Sequence, residues 1–352
     1  MLQASYNKYE LEFKRPAGTS RGVYTTRTTW IISLWDSEYP EVKAYGECAP
    51  LPDLSCDYSE NYEAKVAEVC ERIDEFFYWM DEGLIEYPSI LFGLETALID
   101  FQNGAKQMLF DTPFAQSKEG ILINGLIWMG DADYMREQIQ AKLQQGFSCI
   151  KLKLGADNIE EELKILAEMR AEFPKDKLEI RVDANGAFSP DGVMPILEKL
   201  AELNVHSIEQ PIKQGQWGKM RFLCRKSPIA IALDEELIGI NTYEDKQKLL
   251  KNTMPQYLIL KPSLYGGISG CEEWIELAEA KNIGWWITSA LESNIGLNAI
   301  AQWAASLGVN IPQGLGTGQL FTNNFKSPLM IDGERLWIDN NKTWKIDFSA
   351  KK

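Results

Sequence analysis

The chain has 352 residues, of which 51 are acidic and 36 are basic, so its net charge is −15. This acidic balance argues against nucleic acid and anionic membrane surfaces as partners, because both bind clustered Lys and Arg. No apolar run is long enough to span a bilayer, and the first residues lack the apolar core of a signal peptide. Six scattered cysteines without Cys-x-x-Cys spacing indicate reduced thiols. We therefore expect a soluble cytoplasmic globular protein.

The first part of the chain contains a block of strands and then a block of helices. Residues 2–48 alternate apolar and polar side chains as strands do, with a break at 15–18. Residues 59–80 and 89–108 carry apolar side chains every three to four positions, which indicates helices. Strands followed by helices predict a small α+β domain.

From about Ile121 the pattern changes to a repeated strand–helix unit. Eight short apolar runs alternate with amphipathic segments, and the last run lies at 310–315. This favours a parallel (β/α)8-type TIM barrel over an open sheet. The last thirty residues return to a strand-like pattern and are expected to pack on the first domain. The predicted domains are the barrel, 116–324, and an α+β capping domain, 1–115 plus 325–352.

A polar side chain closes each of six predicted barrel strands. These residues follow one another at intervals of 25 to 30 residues, close to the length of one strand–helix unit. They are Lys153, Asp183, Glu209, Asp234, Lys261 and Ser289. In a parallel barrel such positions meet at the C-terminal rim, where barrel enzymes carry their active sites.

Three of these side chains are carboxylates on successive strands, and they would repel one another in a poorly hydrated barrel mouth. A divalent cation would remove this conflict. His206 is the only histidine and is expected in a helix-to-strand loop, so a zinc site with two histidines is excluded. Oxygen ligands favour Mg²⁺, with Mn²⁺ as the alternative.

Each of these residues also has a simpler interpretation. Lys153 and Lys151, two residues earlier on the same predicted strand, could form a solvated strand face. Asp183, which stands before Ala-Asn-Gly, could belong to a turn. Glu209 and Lys261 could be ordinary rim charges near a proline, and Asp234 could cap the next helix. Parallel barrel strands have both faces covered, however, so they offer the lysines no solvated face. The functional interpretation is favoured because all the residues occur in register.

The ordered motifs KLKLG, RVDANG, IEQP, LDEEL and LILKPSLYGG resemble those of the muconate-lactonising-enzyme subgroup of the enolase superfamily. The resemblance covers almost the whole chain. It implies a modified (β/α)7β barrel with a capping domain built from both termini. Within the subgroup, the segments ITSALESNIGLNAIAQWAA and IPQGLGTGQLF resemble o-succinylbenzoate synthases of menaquinone biosynthesis.

This resemblance implies a role for each charged residue. The Mg²⁺ ligands would be Asp183, Glu209 and Asp234. Lys153 would remove the α-proton of a small-molecule carboxylate and then protonate the departing hydroxyl, while Lys261 on the opposite face would stabilise the intermediate. Lys151 would help to position the substrate carboxylate. The reaction implied is the syn dehydration of 2-succinyl-6-hydroxy-2,4-cyclohexadiene-1-carboxylate to o-succinylbenzoate.

Substrate contacts are expected at the last two barrel strands. Ser289 is a candidate contact, and Gly314 and Gly316 would allow a close approach of the backbone to the substrate. Turn geometry alone would also explain the two glycines.

Two further features have a functional and a structural interpretation. The segment 14–27, rich in Gly, Ser, Thr and Arg, could close over the site as a lid or form a mobile hairpin turn without contact. Arg181 and Asn185 share a strand face with Asp183 and could support it, although Asn185 could equally serve only to form a turn.

Three alternatives remain open. A dipeptide epimerase or N-acylamino-acid racemase would use the same two lysines, but the eighth strand reads GLGTG and lacks the Asp-x-Asp expected there to bind an amino group. A muconate or sugar-acid enzyme is the second alternative, and a sugar-acid dehydratase more often uses a histidine. A non-catalytic scaffold would have no reason to keep the charged residues in register. The sequence allows a monomer or a homo-oligomer.

Overall fold

The computed structural model describes residues 1–19, 22–155 and 158–348. The N-terminal region forms an antiparallel sheet of β1 (Leu2–Thr19), β2 (Gly22–Asp36) and β3 (Ala44–Cys48), in the order β1-β2-β3. The pairing of β1 with β2 shifts register between Glu12 and Ala17, where the predicted lid segment 14–27 begins. That segment is therefore the outer half of a long hairpin, and its residues Ser20 and Arg21 lie outside the described ranges.

Helices cover this sheet, as the sequence predicts, with different bounds. They are α1 (Tyr62–Glu71), α2 (Phe76–Tyr78) and α3 (Pro88–Gln102), with a 3₁₀ turn at Ile73–Glu75 and a π turn at Trp79–Gly83. The predicted helix 59–80 is interrupted where the buried Trp79 donates its indole N–H to the carbonyl of Arg72 at 2.9 Å. Helix α3 ends at Gln102 because Gly104 and Ala105 adopt positive φ angles.

Helix α3 lies directly on β3. It is buried on nearly all sides, which explains why its sequence is apolar around the whole helix. A Cβ at Gly46 would lie 1.9 Å from the carbonyl oxygen of Gly93. Glycine is required at Gly46 because the helix and strand backbones approach so closely.

Seven parallel strands form the barrel sheet, in the order β11-β10-β9-β8-β7-β6-β5. The first predicted run contributes β4 (Ile121–Leu122), which lies outside this sheet, and β5 (Gly125–Ile127). The other strands are β6 (Cys149–Lys153), β7 (Glu179–Asp183), β8 (Ser207–Glu209), β9 (Ala230–Leu233), β10 (Tyr257–Leu260) and β11 (Gly284–Ile287).

The predicted eighth strand is reduced to two isolated bridges that close the barrel. Gln313 pairs with Ile123 on one side, and Gly314 pairs with Thr288 on the other. The backbone N–H of Gly314 donates to the carbonyl of Ile287 at 2.8 Å, which continues the ladder beyond β11. The predicted barrel is therefore correct in class, and its last strand is very short.

Helices follow the barrel strands and cover the outside of the sheet. They are α4 (Ala132–Gln144), α5 (Ile159–Glu172), α6 (Val193–Glu202), α7 (Trp217–Lys226), α8 (Tyr243–Thr253), α9 (Gly267–Glu279) and α10 (Asn294–Ser306). Their apolar faces pack with the strands in one large core. None of the helices in the described ranges is long and apolar enough to cross a membrane.

The two faces of the barrel strand β6 differ in polarity, and the polar face points into the barrel. Along β6 the alternation of side chains separates Lys151 and Lys153 from the apolar residues that face the helices. Deeper in the barrel, the buried Arg181 guanidinium stacks on the ring of Trp286 at 4.2 Å and donates to the carbonyl of Pro312 at 2.9 Å. This stack occupies the interior beneath the strand ends.

The C-terminal segment contacts both parts of the chain. Strands β12 (Leu329–Asp332) and β13 (Arg335–Ile338) form a hairpin that pairs with β4, in the order β12-β13-β4. The ring of Phe325 instead packs against Tyr9 of β1, with ring centroids 4.7 Å apart. The assignment of residues 325–352 to the capping domain stays a prediction, because the hairpin of β12 and β13 pairs with β4, next to the barrel.

Two buried carboxylates join the N-terminal region to the barrel helices. Glu47 of β3 accepts hydrogen bonds from the backbone N–H groups of Ser293 and Gly296 at the start of α10. Glu95 of α3 accepts from those of Ile268 and Ser269 at the start of α9. A carboxylate is favourable at a helix N-terminus because it meets unpaired N–H groups and the positive end of the helix dipole.

We expect Glu95 to make the stability of the protein depend on pH. Burial raises the pKa of this carboxyl to about 7, so near pH 5 the folded protein keeps a proton that the unfolded chain has largely lost. The free energy of unfolding of the wild type should fall, relative to that of Glu95→Gln, by about 2 kcal/mol between pH 5 and pH 8. Urea denaturation of both proteins across this range measures the difference.

The matched control is Glu71→Gln, at an exposed position where α1 ends. Its unfolding free energy should follow that of the wild type at every pH. Parallel pH profiles for the wild type and Glu95→Gln would contradict the expectation.

Candidate active site

The predicted strand-end residues converge at the mouth of the barrel. Parallel pairing places Lys153 beside Asp183 and Asp183 beside Glu209, so these three stand at one level on adjacent strands. Asp234 and Lys261 each lie one residue beyond the end of their strand, β9 and β10. The regular spacing in the sequence therefore corresponds to a common position on the barrel rim.

Lys151 lies between two carboxylates. Its Nζ is 3.0 Å from Oδ2 of Asp183 and 2.6 Å from Oε2 of Glu209. All three side chains are buried. Lys151 therefore neutralises the carboxylates from inside the barrel. It also lines the cavity described below, so its predicted contact with the substrate carboxylate stays a prediction.

The other two lysines stand on opposite sides of the mouth. Nζ of Lys153 lies 3.2 Å from Oδ2 of Asp183 and donates to Oδ1 of Asn185 at 2.6 Å. Nζ of Lys261 lies 2.5 Å from Oδ2 of Asp234. The hydroxyl of Tyr265 also donates to the Asp234 side chain and to its carbonyl oxygen. Lys153 thus has a neutral partner, Asn185, as well as the carboxylate of Asp183. In the described part of the chain, the partner of Lys261 is the carboxylate of Asp234.

Burial and opposite charges shift the acid–base equilibria in this group. Burial lowers the pKa of Lys151, but the neighbouring carboxylates, led by Asp183, outweigh it and raise the pKa above its ordinary range. Burial likewise opposes ionisation of Asp183, but the ammonium groups of Lys151 and Lys153 hold its pKa well below normal. Burial and the charge of Asp183 raise the pKa of Glu209 well above normal.

A cavity of about 110 Å³ opens between the lysines. Both Lys153 and Lys261 line it, together with Lys151 and Asp183 at its base. The remaining wall is mixed polar and apolar, and includes Leu51, Leu54, Asn124, Leu126, Trp128, Leu264, Thr288, Ser289, Gly314, Gly316 and Thr317. A bound molecule in this space would have an amine on each of two faces.

The predicted substrate contacts Ser289, Gly314 and Gly316 all lie on the cavity wall. The hydroxyl of Ser289 lies 2.5 Å from that of Thr317. A Cβ at Gly314 would lie 2.4 Å from Oγ1 of Thr288, so glycine is needed there for packing inside the protein. Gly316 has no such close neighbour, and the nearest atom would be 3.6 Å away. Gly316 is thus the glycine whose small size leaves open space at the cavity.

Among its described residues, the hairpin predicted as a lid reaches the cavity with one side chain. Tyr24 of β2 lines the cavity. Nearer the base of the hairpin, the buried Arg27 donates to the backbone carbonyls of Ala49 and Ala290. Arg27 therefore fixes the hairpin base to the barrel rim, and Tyr24 is the contact that the composition of the loop did not predict.

The two residues predicted to support Asp183 lie at different depths. Arg181 is deep in the barrel, where it pairs with Glu179 at 2.7 Å. Asn185 lies at the mouth and contacts Lys153 directly. His206 is at the other end of the barrel, immediately before β8, as predicted from its loop position. Only Asn185 of these three belongs to the site.

The carboxylates suit a hard metal ion, although they are not arranged as a finished ligand set. Among the described residues, no three His, Cys, Asp or Glu side chains form a ready metal-binding group. Lys151 occupies the space between Asp183 and Glu209 instead. Oε1 of Glu209 is nevertheless buried without a hydrogen-bond donor from the described ranges. A divalent cation would satisfy that oxygen, so the residues fit Mg²⁺.

Comparison with known proteins places the chain in a family. Residues 134–346 match the model described as "Enolase C-terminal domain-like", and residues 1–101 match the MenC N-terminal domain. An o-succinylbenzoate synthase from Desulfotalea psychrophila is 43% identical over 96% of this chain and 99% of its own. The chain belongs to the MenC family of the enolase superfamily. The family predicted from the sequence motifs is therefore confirmed.

Solved structures agree with the fold of the MenC family. The crystal structure of MenC from D. psychrophila superposes with a TM-score of 0.86 at 41% identity, covering 96% of this chain and 99% of that chain. The L-Ala-D/L-Glu epimerase from Bacillus subtilis gives 0.81 at 18% identity, covering 96% and 95%. At this lower identity the likeness shows the fold alone. Enzymes of the superfamily generally use Mg²⁺.

Several contacts at this MenC-family site were missed from the sequence. The hydroxyl of Tyr265 and the carboxylate of Glu235 both take part in the hydrogen bonding of the site. Glu235 follows Asp234 in the motif LDEEL, so the doubled acid was a usable signal. Tyr265 lies in PSLYGG after β10 and carries no local signal for a contact with a neighbouring strand end.

Lys151→Met tests whether this lysine neutralises the buried carboxylates. Removing one partner of a buried ion pair leaves an uncompensated charge, so the metal-free variant should lose about 3 kcal/mol of unfolding free energy. Urea denaturation in EDTA measures this loss. Lys151→Met/Glu209→Gln should recover part of it because one of the two carboxylates is removed.

The matched control is Lys164→Met, which removes a largely exposed lysine paired with Glu161. Its stability should change little, because exposed ion pairs contribute little. An equal loss in both single variants would contradict the role given to Lys151.

Proposed function

We propose that the protein catalyses the Mg²⁺-dependent syn dehydration of 2-succinyl-6-hydroxy-2,4-cyclohexadiene-1-carboxylate to o-succinylbenzoate, a step of menaquinone biosynthesis. The observation that carries this proposal is the pair of lysines, Lys153 and Lys261, on opposite walls of a cavity whose base holds buried carboxylates. The 43% identity to an o-succinylbenzoate synthase over nearly the whole chain supports the choice of reaction. The substrate would be a small-molecule carboxylate, and the enzyme cytoplasmic.

The proposed metal ligands are Asp183, Glu209 and Asp234. Their carboxylate oxygens suit Mg²⁺, and Mn²⁺ would fit the same donor set. When bound, the cation supplies positive charge that stabilises a substrate carboxylate as the adjacent carbon loses its proton. Lys151 balances the remaining negative charge of the ligands from below.

Lys153 is the proposed acid–base group. Its Nζ, as the neutral amine, takes the proton from the carbon next to the ring carboxylate. The electron pair left behind forms a ring double bond as the C–O bond to the hydroxyl breaks. The same ammonium group then gives its proton to the departing oxygen, so water leaves and the ring becomes aromatic. A single amine on one face thus accounts for a syn elimination.

Lys261 remains an ammonium ion on the opposite wall. Burial lowers its pKa, but the carboxylate of Asp234 outweighs this effect and raises the pKa. A fixed positive charge at this position stabilises the negative charge that develops in the ring during proton removal. Lys261 therefore acts through electrostatics and does not exchange a proton in this reaction.

Neutral groups of the last two barrel strands suit the rest of the substrate. Ser289 and Thr317 present hydroxyl groups to the cavity, and Gly316 leaves room beside them. Hydroxyl donors suit a succinyl carboxylate, whereas an amino group would require carboxylates. Tyr24 would close the cavity from the capping hairpin and exclude water.

A dipeptide epimerase or N-acylamino-acid racemase is the alternative. Two opposed lysines would also serve two-sided proton transfer. The absence of acids in the segment GLGTG, which provides Gly314, Gly316 and Thr317 of the cavity wall, disfavours a dipeptide. The L-Ala-D/L-Glu epimerase of Bacillus subtilis is 22% identical to this chain, whereas the o-succinylbenzoate synthase of Desulfotalea psychrophila is 43% identical.

Metal removal tests the proposed ligands. Purified protein should convert the cyclohexadiene substrate with Mg²⁺, lose this turnover in EDTA and regain it when Mg²⁺ is restored. Asp183→Asn and Glu209→Gln should weaken Mg²⁺ binding, measured by calorimetry, by at least about tenfold. Asp191→Asn, at an exposed loop acid, is the control and should bind as the wild type does. Full turnover after complete chelation would refute the metal-dependent mechanism.

Lys153→Ala tests the acid–base assignment. Without the amine, the dehydration rate constant kcat should fall by about 10³-fold, because proton transfer has lost its base. Mg²⁺ affinity and the circular dichroism spectrum should be retained. Lys164→Ala, at an exposed helical position, should leave kcat unchanged. Substantial turnover by Lys153→Ala would show that another group removes the proton.

A further inference from the structure

Asn185 joins the proposed base to a second carboxylate. Its Oδ1 accepts a hydrogen bond from Nζ of Lys153 at 2.6 Å, and its Nδ2 donates to Oε1 of Glu235 at 2.9 Å. Glu235 is buried, and both it and Asn185 line the cavity. A chain of hydrogen bonds therefore runs from the strand end of β6 to that of β9 through a single amide group.

The backbone holds Asn185 firmly in place. Its φ of 44° lies in the left-handed region, which Asn tolerates better than most residues, and its N–H donates to Oδ1 of Asp183 at 3.1 Å. The next residue, Gly186, also has a positive φ, and its N–H donates to the carbonyl of Gln210 at 2.7 Å. The turn after β7 is thus fixed to the turn after β8, and the side chain of Asn185 has a defined origin.

Glu235 decides which end of the amide faces Lys153. A carboxylate only accepts hydrogen bonds, so it requires the NH₂ end of Asn185. The carbonyl end must then face Lys153, whose amine donates in either protonation state. The orientation of the amide follows from the chemistry of its two partners.

This arrangement controls the direction of the Lys153 lone pair. A neutral amine has two N–H bonds and one lone pair. If Asn185 and Asp183 accept the two N–H bonds, the lone pair points away from both acceptors. We expect that direction to face a molecule bound in the cavity, because Lys153, Asp183 and Asn185 all line it.

We propose that Asn185 is a positioning residue that aims Nζ of Lys153 at the substrate carbon, and that Glu235 sets the orientation of its amide. The inference rests on the proposed function, in which Lys153 is the base. Its support lies in the contrast between the two lysines. Lys153 has the neutral acceptor Asn185 at 2.6 Å in addition to the carboxylate of Asp183 at 3.2 Å, and the amide directs the amine without adding a negative charge. Lys261 is paired with the carboxylate of Asp234.

Asn185→Gly tests the inference, because glycine keeps the left-handed backbone and removes only the side chain. We expect kcat to fall by about 10- to 100-fold, because a misdirected base retains its chemistry but loses its alignment. KM and Mg²⁺ affinity should stay within about twofold of the wild type. The kinetic isotope effect on kcat, measured with substrate deuterated at the reacting carbon, should rise or stay at its maximum, because proton removal limits the rate. Glu235→Gln should lower kcat in the same way and by less.

The control is Asn282→Gly, at another Asn with positive φ, in the turn between α9 and β11 and away from the cavity. Its kcat should equal that of the wild type. Wild-type kcat for Asn185→Gly would overturn the inference, as would a raised KM or weaker Mg²⁺ binding with kcat unchanged.

A comparison with Lys153→Ala separates the inference from the function on which it rests. If Lys153→Ala is inactive and Asn185→Gly has normal kcat, only the positioning role fails. If Lys153→Ala stays active, the base assignment fails and the positioning role fails with it. If both predictions hold, adding Asn185→Gly to Lys153→Ala should lower the residual rate no further, because there is no amine left to position.

Discussion

The mouth of the barrel depends on burying carboxylates and ammonium groups together. Asp183 and Glu209 are almost inaccessible to water, and the structure accommodates them because Nζ of Lys151 lies between them. Such a cluster costs desolvation energy that an apolar core would not, and breaking it leaves a buried charge. The rest of the barrel encloses this charged cluster. Arg181 stacks on Trp286 beneath the cluster, and the apolar faces of the helices surround it. Burial of this charged cluster is therefore a constraint that the fold has to meet at the barrel mouth.

The capping region solves a different electrostatic problem. Glu47 and Glu95 satisfy the N-termini of two barrel helices, and Arg27 satisfies two carbonyls at the rim. Apart from the hydrogen bond from Arg27 to Ala49, which stays within the N-terminal region, these contacts bind charged groups of that region to backbone groups of the barrel. The hairpin is fixed at its base while Tyr24, farther out, reaches the cavity. Anchoring at the base and contact farther out are the properties that a closing hairpin requires.

The sequence predicted the charged residues of the site because one geometric rule places them. In a parallel barrel every strand ends at the same rim, so a repeat of 25 to 30 residues fixes the position of Asp183, Glu209 and Lys261 without knowledge of any contact. The contacts made by Glu95 follow no such rule, since its partners are 173 and 174 residues away in the chain. The eighth strand was placed correctly but is only two residues of bridges, because periodicity does not report how many hydrogen bonds a strand forms.

Asn185 had two interpretations in the sequence, support of Asp183 or a turn, because Asn before Gly is the usual composition of a turn. The structure shows that the turn and the contact with Lys153 depend on each other: the left-handed backbone that Asn tolerates is what brings its amide to the amine. From the turn, the amide of Asn185 can therefore contact Lys153 where a strand residue could not. The neighbouring strand-end positions are already taken by the carboxylates. Two lysines of identical chemistry can then take different roles, one directed by a neutral amide and the other held as a cation by Asp234.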